Sequence, residues 1–580
     1  MNDKLPKKFL LGRVEEFTDL KQLLRYGLKY GNKTYFKNKD KEAKNIVSIS
    51  FAQMNEMVNK LGTAFFKFNL KNVALIAETR YEWVVTYFAA TTGNGVIVPL
   101  DKELAPEQII NFIERSSADC VVYSEDFAEL IESYVQSDAS KVRCCVNLDY
   151  KPEKARELRE SKNVDIYSFS EMLELGEKAL NENCRDFVDA VIDNEKMCAC
   201  LFTSGTTGTS KAVMLSHKNI SACSYNAACS VTGMGESDII VSVLPAYHTY
   251  ETACTFLATY ALGVEICANE SLKTIMKSFQ FYKPTKLVLV PLFIETMSKR
   301  IWDEIAKKGK TKTVKNAIKL SNALRAVGID IRHKLFKDVL AAFGGRVDGI
   351  ICGAAPLNPE YIKTFDDFGI KIWQGYGTTE CSPLIAVIPE DMHLKKSHSV
   401  GYPIAANHVK IDGSDDEGNG EILVKGSNVM LGYLNDEENT KAVMTDDGYY
   451  RTGDIGHLDS DGYLYITGRK KNVIILSNGK NIYPEEIEEY LGKVDLIKEC
   501  VVLGRTSDKN SEILITAIVH PDLEKVTADF TAEQIENEIR EAVTQINKGL
   551  PTFKHINTVE FRATEFEKTT SKKIIRYKVQ

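Results

Sequence analysis

Long apolar runs are missing from this sequence, and that absence narrows what the protein can be. No stretch approaches the roughly 20 apolar residues that a membrane-spanning helix needs. The most apolar one, Leu287 to Ile294, is short, contains Pro291 and reads as a core strand. Near the start, Lys4, Lys7 and Lys8 precede only Phe9-Leu10-Leu11, too little apolar sequence for a secretory signal. Cysteine is unpatterned: thirteen residues without paired spacing read as buried free thiols of a reducing cytosol. Cys198 and Cys200 alternate along a strand and carry little metal signal. Basic excess is lacking too, since the net charge of −7 argues against general nucleic-acid binding. There is no internal repeat. A cytoplasmic protein is expected, and 580 residues of ordinary apolar and charged content allow more than one domain.

What is present is concentrated in Leu201-Phe-Thr-Ser-Gly-Thr-Thr-Gly-Thr-Ser-Lys211. Thr203, Ser204, Thr206, Thr207, Thr209 and Ser210 surround Gly205 and Gly208, and Lys211 closes the run. Glycine lets backbone N–H groups approach an anion, hydroxyls add donors and lysine adds a mobile positive charge. Met197 to Phe202 and Ala212 to Leu215 read as buried strands on either side. This is not a Walker loop, because Gly205 and Gly208 are too close together and Ala212 stands where a magnesium-binding hydroxyl would be. A dinucleotide fingerprint is absent as well, because Gly233-Met-Gly235 lacks its third glycine.

Alternating apolar runs and helical patterns fill the first two thirds. Val73 to Ala77, Gly95 to Leu100, Cys120 to Ser124, Cys144 to Leu148 and Gly349 to Cys352 read as strands, with helices such as Glu82 to Ala90 and Pro106 to Arg115 between them. That alternation predicts an α/β fold with mostly parallel sheets covered by helices. After Val409, shorter strands and Asp-Gly or Glu-Gly turns at Asp412, Glu417, Asp447 and Asp461 predict a small antiparallel or barrel-like subdomain. Strands Glu499 to Leu503, Ile513 to His520 and Thr558 to Phe561, with a helix near Thr531 to Asn547, predict a C-terminal α+β module. Its boundary falls near Gly468, giving domains 1–468 and 469–580. Lys299 to Arg346 holds thirteen Lys or Arg against four Asp or Glu, in a helical pattern whose apolar positions are Val314, Ile318, Leu324, Leu335, Phe336, Val339 and Leu340. It reads either as a solvated helix face or as a surface for anionic lipid headgroups or a phosphorylated ligand.

Further clusters carry chemistry. Gly353-Ala354-Ala355-Pro356 follows a strand and is small enough for a flat ring to lie against its backbone. Gly375-Tyr376-Gly377-Thr378-Thr379-Glu380 is expected to place an aromatic face, two hydroxyls and a carboxylate in one tight turn, for a base, phosphate and magnesium respectively. Asp454, in Tyr450-Arg-Thr-Gly-Asp454, suits bidentate contact with ribose hydroxyls. Gly468-Arg469-Lys470-Lys471 reads as a charged joint, Ser477-Asn-Gly479-Lys-Asn481 as a loop, and Lys568 to Arg576 as a basic tail.

In this order the motifs resemble the adenylate-forming superfamily of acyl-CoA synthetases, luciferases and peptide-synthetase adenylation domains, from about Lys21 to Arg576. The chain is most similar to long-chain fatty acid CoA ligases, through Arg80-Tyr-Glu-Trp83, Val98-Pro-Leu-Asp101, Leu244-Pro-Ala-Tyr-His-Thr-Tyr-Glu251, Leu476 to Glu485 and the long basic segment. The resemblance implies a large N-terminal domain, a mobile C-terminal one, and the substrates ATP, coenzyme A and a fatty acid, with Mg2+. An acyl-adenylate forms first and the thioester second. Such chemistry needs alignment and charge neutralisation rather than a protein nucleophile.

By the same resemblance the Thr203 to Lys211 loop closes on the β- and γ-phosphates. Tyr376 stacks on adenine near Gly353 to Ala355, Thr379 meets the α-phosphate, and Glu380 holds magnesium. Asp454 takes the ribose with Arg469 beside it, Gly479 lines the pantetheine arm, Lys471 is the hinge, and His248 shapes the acyl pocket. Lys573 bridges carboxylate and α-phosphate, chosen over Lys572 by register with Thr569, Ser571 and Ile574. Two departures stand out: Ser210 replaces the family's proline, and Ser571-Lys572-Lys573 replaces Ser-Gly-Lys. The alternatives are a ligase that hands its acyl-adenylate to a carrier protein, for which no carrier domain follows residue 580, and a non-catalytic fatty-acid-binding protein at a membrane surface.

Overall fold

The computed structural model describes residues 9, 11–39, 45–137, 140–162, 164–203, 210–231, 233–476, 481–506, 513–525, 531–568 and 574–579. Two compact units divide the chain. One takes the sequence up to the glycine-rich loop together with Ser210–His408 and Val424–Gly448; the other takes Val409–Leu423 and everything from Tyr449 onward.

The first unit is built on an eight-stranded and a nine-stranded sheet. In the eight-stranded sheet, Met197–Thr203, Val96–Pro99, Asn72–Ile76, Cys120–Tyr123, Cys144–Asn147 and Ile166–Ser168 run parallel. Cys120–Tyr123 and Cys144–Asn147 are buried at every position, as expected of strands covered on both faces. One edge reverses direction: Lys211–Ser216 pairs antiparallel with Met197–Thr203, and Gly432–Tyr433 pairs antiparallel with Lys211–Ser216. The hairpin therefore brings Thr203 and Lys211 face to face in register at the mouth of the glycine-rich loop. Ser216 ends the hairpin and caps the helix His217–Ser230, its hydroxyl accepting from Asn219 N–H at 3.2 Å.

In the nine-stranded sheet, Lys371–Gly377, Gly349–Cys352, Lys286–Leu289, Ile239–Ser242, Glu265–Ala268 and Thr34–Lys39 are parallel, with antiparallel strands at both edges. Two expectations change here. Leu287 to Ile294 is not one strand: the strand ends at Leu289 and Pro291 opens the helix Pro291–Lys307, where its missing N–H costs nothing. Nor is Gly375 to Glu380 one tight turn, since Gly375, Tyr376 and Gly377 finish a strand and only Thr379–Cys381 curls into a 3₁₀ turn.

The basic segment is helical, as Pro291–Lys307, Thr311–Ala326, Arg332–Leu335 and Lys337–Ala342. Leu335, expected on its apolar face, is instead 40% exposed. No helix among the described residues is long and apolar enough to cross a membrane.

The second unit holds a four-stranded sheet and a three-stranded sheet. In the first, Tyr450–Leu458 pairs antiparallel with Leu464–Arg469. In the second, Ile497–Thr506, Ile513–Pro521 and Thr558–Phe561 pair in that order. Helix Ala532–Gly549 lays Ile535, Ile539 and Val543 against Ile515, Ala517 and Val519 to close that core.

Candidate functional site

The sequence candidates fall into three groups, two in the first unit and one in the second. Ser204, Gly205, Thr206, Thr207, Gly208, Thr209, Gly479, Lys572 and Lys573 lie outside the described residues.

The first group gathers around Gly353. The strand Gly349–Cys352 delivers Gly353, Ala354 and Ala355 to its C-terminal end, where ligands of parallel sheets bind. Ala354 sits at φ 73°, a left-handed conformation that a residue with a Cβ adopts at a cost of about 1 kcal/mol. A Cβ on Gly353 would lie 3.2 Å from the Tyr250 ring and 3.3 Å from the Gly375 carbonyl, so the turn is pressed against both. Tyr250 donates its hydroxyl to Ile351 O at 3.2 Å. It opens a π-helix, Tyr250–Leu257, a form of helix frequent at functional sites. His248, just before it, is half-buried, and its Nδ1 accepts the Tyr250 N–H at 3.1 Å. That bond fixes the orientation of the His248 ring. Glu251, the residue after Tyr250, is fully buried. Thr255 Oγ1 donates to it at 2.9 Å and Ser242 Oγ donates to its other oxygen. Desolvation outweighs these two hydroxyls and pushes the carboxyl up to about 8. In the sequence Glu251 is only the last residue of the Leu244 to Glu251 motif, because nothing in a sequence reveals that a glutamate faces inward.

The second group surrounds Glu380. The strand Lys371–Gly377 carries buried Tyr376 and then releases Thr378, Thr379 and Glu380 into the turn. Gly377 is required by space: a Cβ there would stand 1.9 Å from Pro383 O, which already accepts the Thr378 N–H at 3.0 Å. Thr378 Oγ1 is buried and has no hydrogen-bond partner among the described residues. Tyr433 donates its hydroxyl to Glu380 Oε1 at 2.9 Å, while Glu380 O accepts the Met430 N–H at 2.8 Å. The same Tyr433 ring lies 4.6 Å from Lys211 Nζ. Tyr433 thus ties the end of the glycine-rich hairpin to the carboxylate. The hairpin is braced from below, since Phe112 stacks on Phe202 at 3.9 Å and Arg115 donates to Ser210 O at 3.0 Å.

The third group lies in the second unit. Asp454 is 3% exposed and pairs through Oδ1 with Arg469 Nε at 2.8 Å, the two being register partners across adjacent strands. Its backbone N–H donates to Thr452 Oγ1 at 3.0 Å, and Thr452 in turn donates to Ile422 O at 2.9 Å. Lys471 is exposed in the short 3₁₀ turn Lys470–Asn472, next to Lys470, which pairs with Glu421 at 2.8 Å.

Chemically, the Glu380 group offers hydroxyls, an ammonium and one carboxylate, the donor set of a site that handles a polyphosphate. The described residues contain no cluster of three metal-ligating side chains. A single carboxylate with one oxygen committed to a phenol suits magnesium held chiefly by substrate phosphates, which is the usual manner for that ion.

The model of the AMP-binding enzyme family matches residues 27–434, and that of the AMP-binding enzyme C-terminal domain matches residues 471–580. The chain belongs to the AMP-binding enzyme family. It is 27% identical over 88% of its length to the long-chain-fatty-acid–CoA ligase ACSBG2 of Gallus gallus, covering 68% of that protein. To long-chain-fatty-acid–CoA ligase 6 of Mus musculus it is 28% identical over 83% of its length, covering 69% of that protein. Among solved structures, an anthranilate CoA ligase in complex with anthranoyl-AMP superposes with a TM-score of 0.75 at 19% identity, covering 98% of both chains. A fatty acyl CoA synthetase of Mycobacterium tuberculosis superposes with a TM-score of 0.62 at 20% identity, covering 97% of both. These two likenesses are of fold.

Proposed function

We propose that this protein is an ATP-dependent fatty acid CoA ligase acting on long-chain acids. The fatty carboxylate attacks the α-phosphorus of ATP and pyrophosphate leaves; the coenzyme A thiol then attacks the acyl-adenylate carbonyl and AMP leaves. The observation that carries this reading is the meeting of Lys211, Tyr433 and Glu380 beside the unsatisfied Thr378 hydroxyl, in a chain matched by the AMP-binding family over most of its length.

In this reading the hairpin of Thr203 and Lys211, with Ser204 to Gly208 between them, grips the departing pyrophosphate. Thr378 and Thr379 hold the α-phosphate. Glu380 would hold Mg2+, whose charge offsets that on the phosphates. Tyr376, Gly375 and Gly377, with Gly353 to Ala355, form the adenine slot, and His248 walls the acyl pocket. Asp454 takes the ribose hydroxyls and Arg469 fixes its orientation. Lys573 aligns the attacking carboxylate, and rotation of the domain 469–580 about Lys471 then exchanges Lys573 for the loop around Gly479, which passes the pantetheine arm.

ATP–pyrophosphate exchange, followed by CoA-dependent AMP release with acids of increasing length, tests the whole. Long-chain acids should give the highest kcat/KM in both assays, and Lys573→Ala should lose exchange yet still convert supplied acyl-adenylate to thioester. Best activity on acetate or an aryl acid would refute the chain-length assignment, and exchange without CoA-dependent turnover would favour a carrier-protein acceptor.

The basic helices supply a lipid-facing surface. On Thr311–Ala326 only Ser321 is buried, while Lys312, Lys315, Lys319 and Leu320 are exposed. With Ala323 and Val327 they fall on one face at 100° per residue, and that face holds no acid. Leu320 is 57% and Val327 72% exposed, a combination of cations and apolar side chains that fits peripheral contact with anionic lipid.

A further inference from the structure

A cation that must meet phosphate and a carboxylate that must meet magnesium present a physical conflict when they sit side by side. A direct ion pair would satisfy both and leave neither its charge for the ligand. In this protein Lys211 and Glu380 converge on one side chain, Tyr433, and form no ion pair with each other. The phenol satisfies one carboxylate oxygen with a neutral donor, and the ring face attracts the ammonium through its quadrupole. Both contacts orient a charged group without neutralising it.

The local sequence makes Tyr433 a rigid support. The two-residue strand Gly432–Tyr433 is held along the hairpin by bonds from Leu431 N to Met214 O at 3.0 Å and from Leu434 N to Ala212 O at 2.8 Å. Tyr433 N–H donates to Thr440 Oγ1 at 2.9 Å, and Thr440 donates to Asp436 O at 2.8 Å. Its side chain is 4% exposed, so it has little freedom to turn away. Met430, three residues earlier, is bonded to the Glu380 carbonyl. One short segment therefore fixes both the backbone and the carboxylate of Glu380 relative to Lys211.

We propose that Tyr433 is a positioning residue of the adenylation site: its hydroxyl sets the Glu380 carboxylate toward the metal and its ring sets Lys211 toward phosphate. This rests on the roles given above to Glu380 and Lys211. Two variants separate the two contacts. Tyr433→Phe keeps the ring and removes the hydroxyl; Tyr433→Leu removes both.

ATP binding is measured by calorimetry on the full chain, once with excess Mg2+ and once in EDTA, with Glu380→Gln as reference. Hydrogen bonds to charged groups are among the stronger ones, so Tyr433→Phe should weaken binding about tenfold with Mg2+ and leave binding in EDTA unchanged. Tyr433→Leu should weaken it in both conditions, because Lys211 also loses its support. A Tyr433→Phe variant equal to wild type in both, while Glu380→Gln loses the Mg2+-dependent increment, would overturn the proposal. So would equal weakening of Tyr433→Phe with and without Mg2+, which is the mark of a merely structural role. A Glu380→Gln protein that binds ATP like wild type in both conditions would overturn the assignment of Glu380 itself, and this proposal with it.

Discussion

Glu251 carries a pH dependence that the difference between wild type and Glu251→Gln isolates. It is fully buried between two neutral hydroxyls, and desolvation pushes its carboxyl up to about 8 from an ordinary value of 4.5. The folded state therefore binds this proton more tightly than the unfolded chain. The contribution to stability is complete below about pH 4.5 and is lost as pH rises through about 8. Within that window the loss is about 1.4 kcal/mol per pH unit, or about 3 kcal/mol between about pH 5 and about pH 7. Glu251→Gln has nearly the same shape and no proton to lose. The difference in stability between wild type and variant should change by that amount while all other titrations cancel. Trp83, Trp302 and Trp373 are the three tryptophans of the chain, and all lie in the unit that carries Glu251. Urea denaturation followed by tryptophan fluorescence thus reads the relevant unfolding. An infrared difference spectrum, wild type minus Glu251→Gln, should show a protonated carboxyl near neutral pH that fades as pH passes about 8. If the two denaturation midpoints stayed parallel from about pH 5 to about pH 7, the reasoning would be refuted.

Gly377→Ala should destabilise the first unit by about 1–3 kcal/mol and depress ATP–pyrophosphate exchange, because its Cβ would fall 1.9 Å from a carbonyl that Thr378 holds in place. Gly375→Ala, whose Cβ meets nothing closer than 3.5 Å, is the matched comparison in urea denaturation, and equal midpoints for the two variants would show that the backbone yields freely. Reversing Lys312, Lys315 and Lys319 to Glu should weaken pelleting with phosphatidylserine-rich vesicles about a hundredfold, at about 1 kcal/mol for each lysine removed, and should leave exchange activity in vesicle-free buffer unchanged. Undiminished pelleting would remove the lipid surface.

Sequence periodicity was enough where an element buries a continuous run. Gly349–Cys352, Thr558–Phe561 and Pro106–Arg115 have the bounds expected of them, because each is an apolar or amphipathic run with clear stops. The hairpin flanking the glycine-rich loop was legible for the same reason. Pro291 misled because a proline ending a strand and a proline opening a helix look alike in sequence. Gly375 to Gly377 misled because glycines that usually mark turns are here demanded by the close approach of Pro383. Tyr433 was invisible: a two-residue strand has no periodicity, and its value comes from two partners that are far from it in the chain.

The distant contacts also link the residues proposed for the acyl pocket to those proposed for the adenine slot. Ala354 holds φ 73° at a cost, and such strain persists only where the surroundings over-determine it. The residue before it, Gly353, follows the strand Gly349–Cys352 and is pressed against the Gly375 carbonyl and the Tyr250 ring. Tyr250 is placed by the π-helix, and that helix is fastened to the end of the strand Ile239–Ser242 through Glu251 and Ser242. Ionising Glu251 at this buried position would pull in water or loosen the helix start, and either change would withdraw Tyr250 from the turn. Ala354 would then relax toward an ordinary conformation. Raising pH through about 8 should therefore weaken adenine binding and acyl selection together, whereas a lesion confined to one pocket would move only its own substrate's KM. Parallel rises in the KM for ATP and for the acid, both abolished in Glu251→Gln, would identify the shared support.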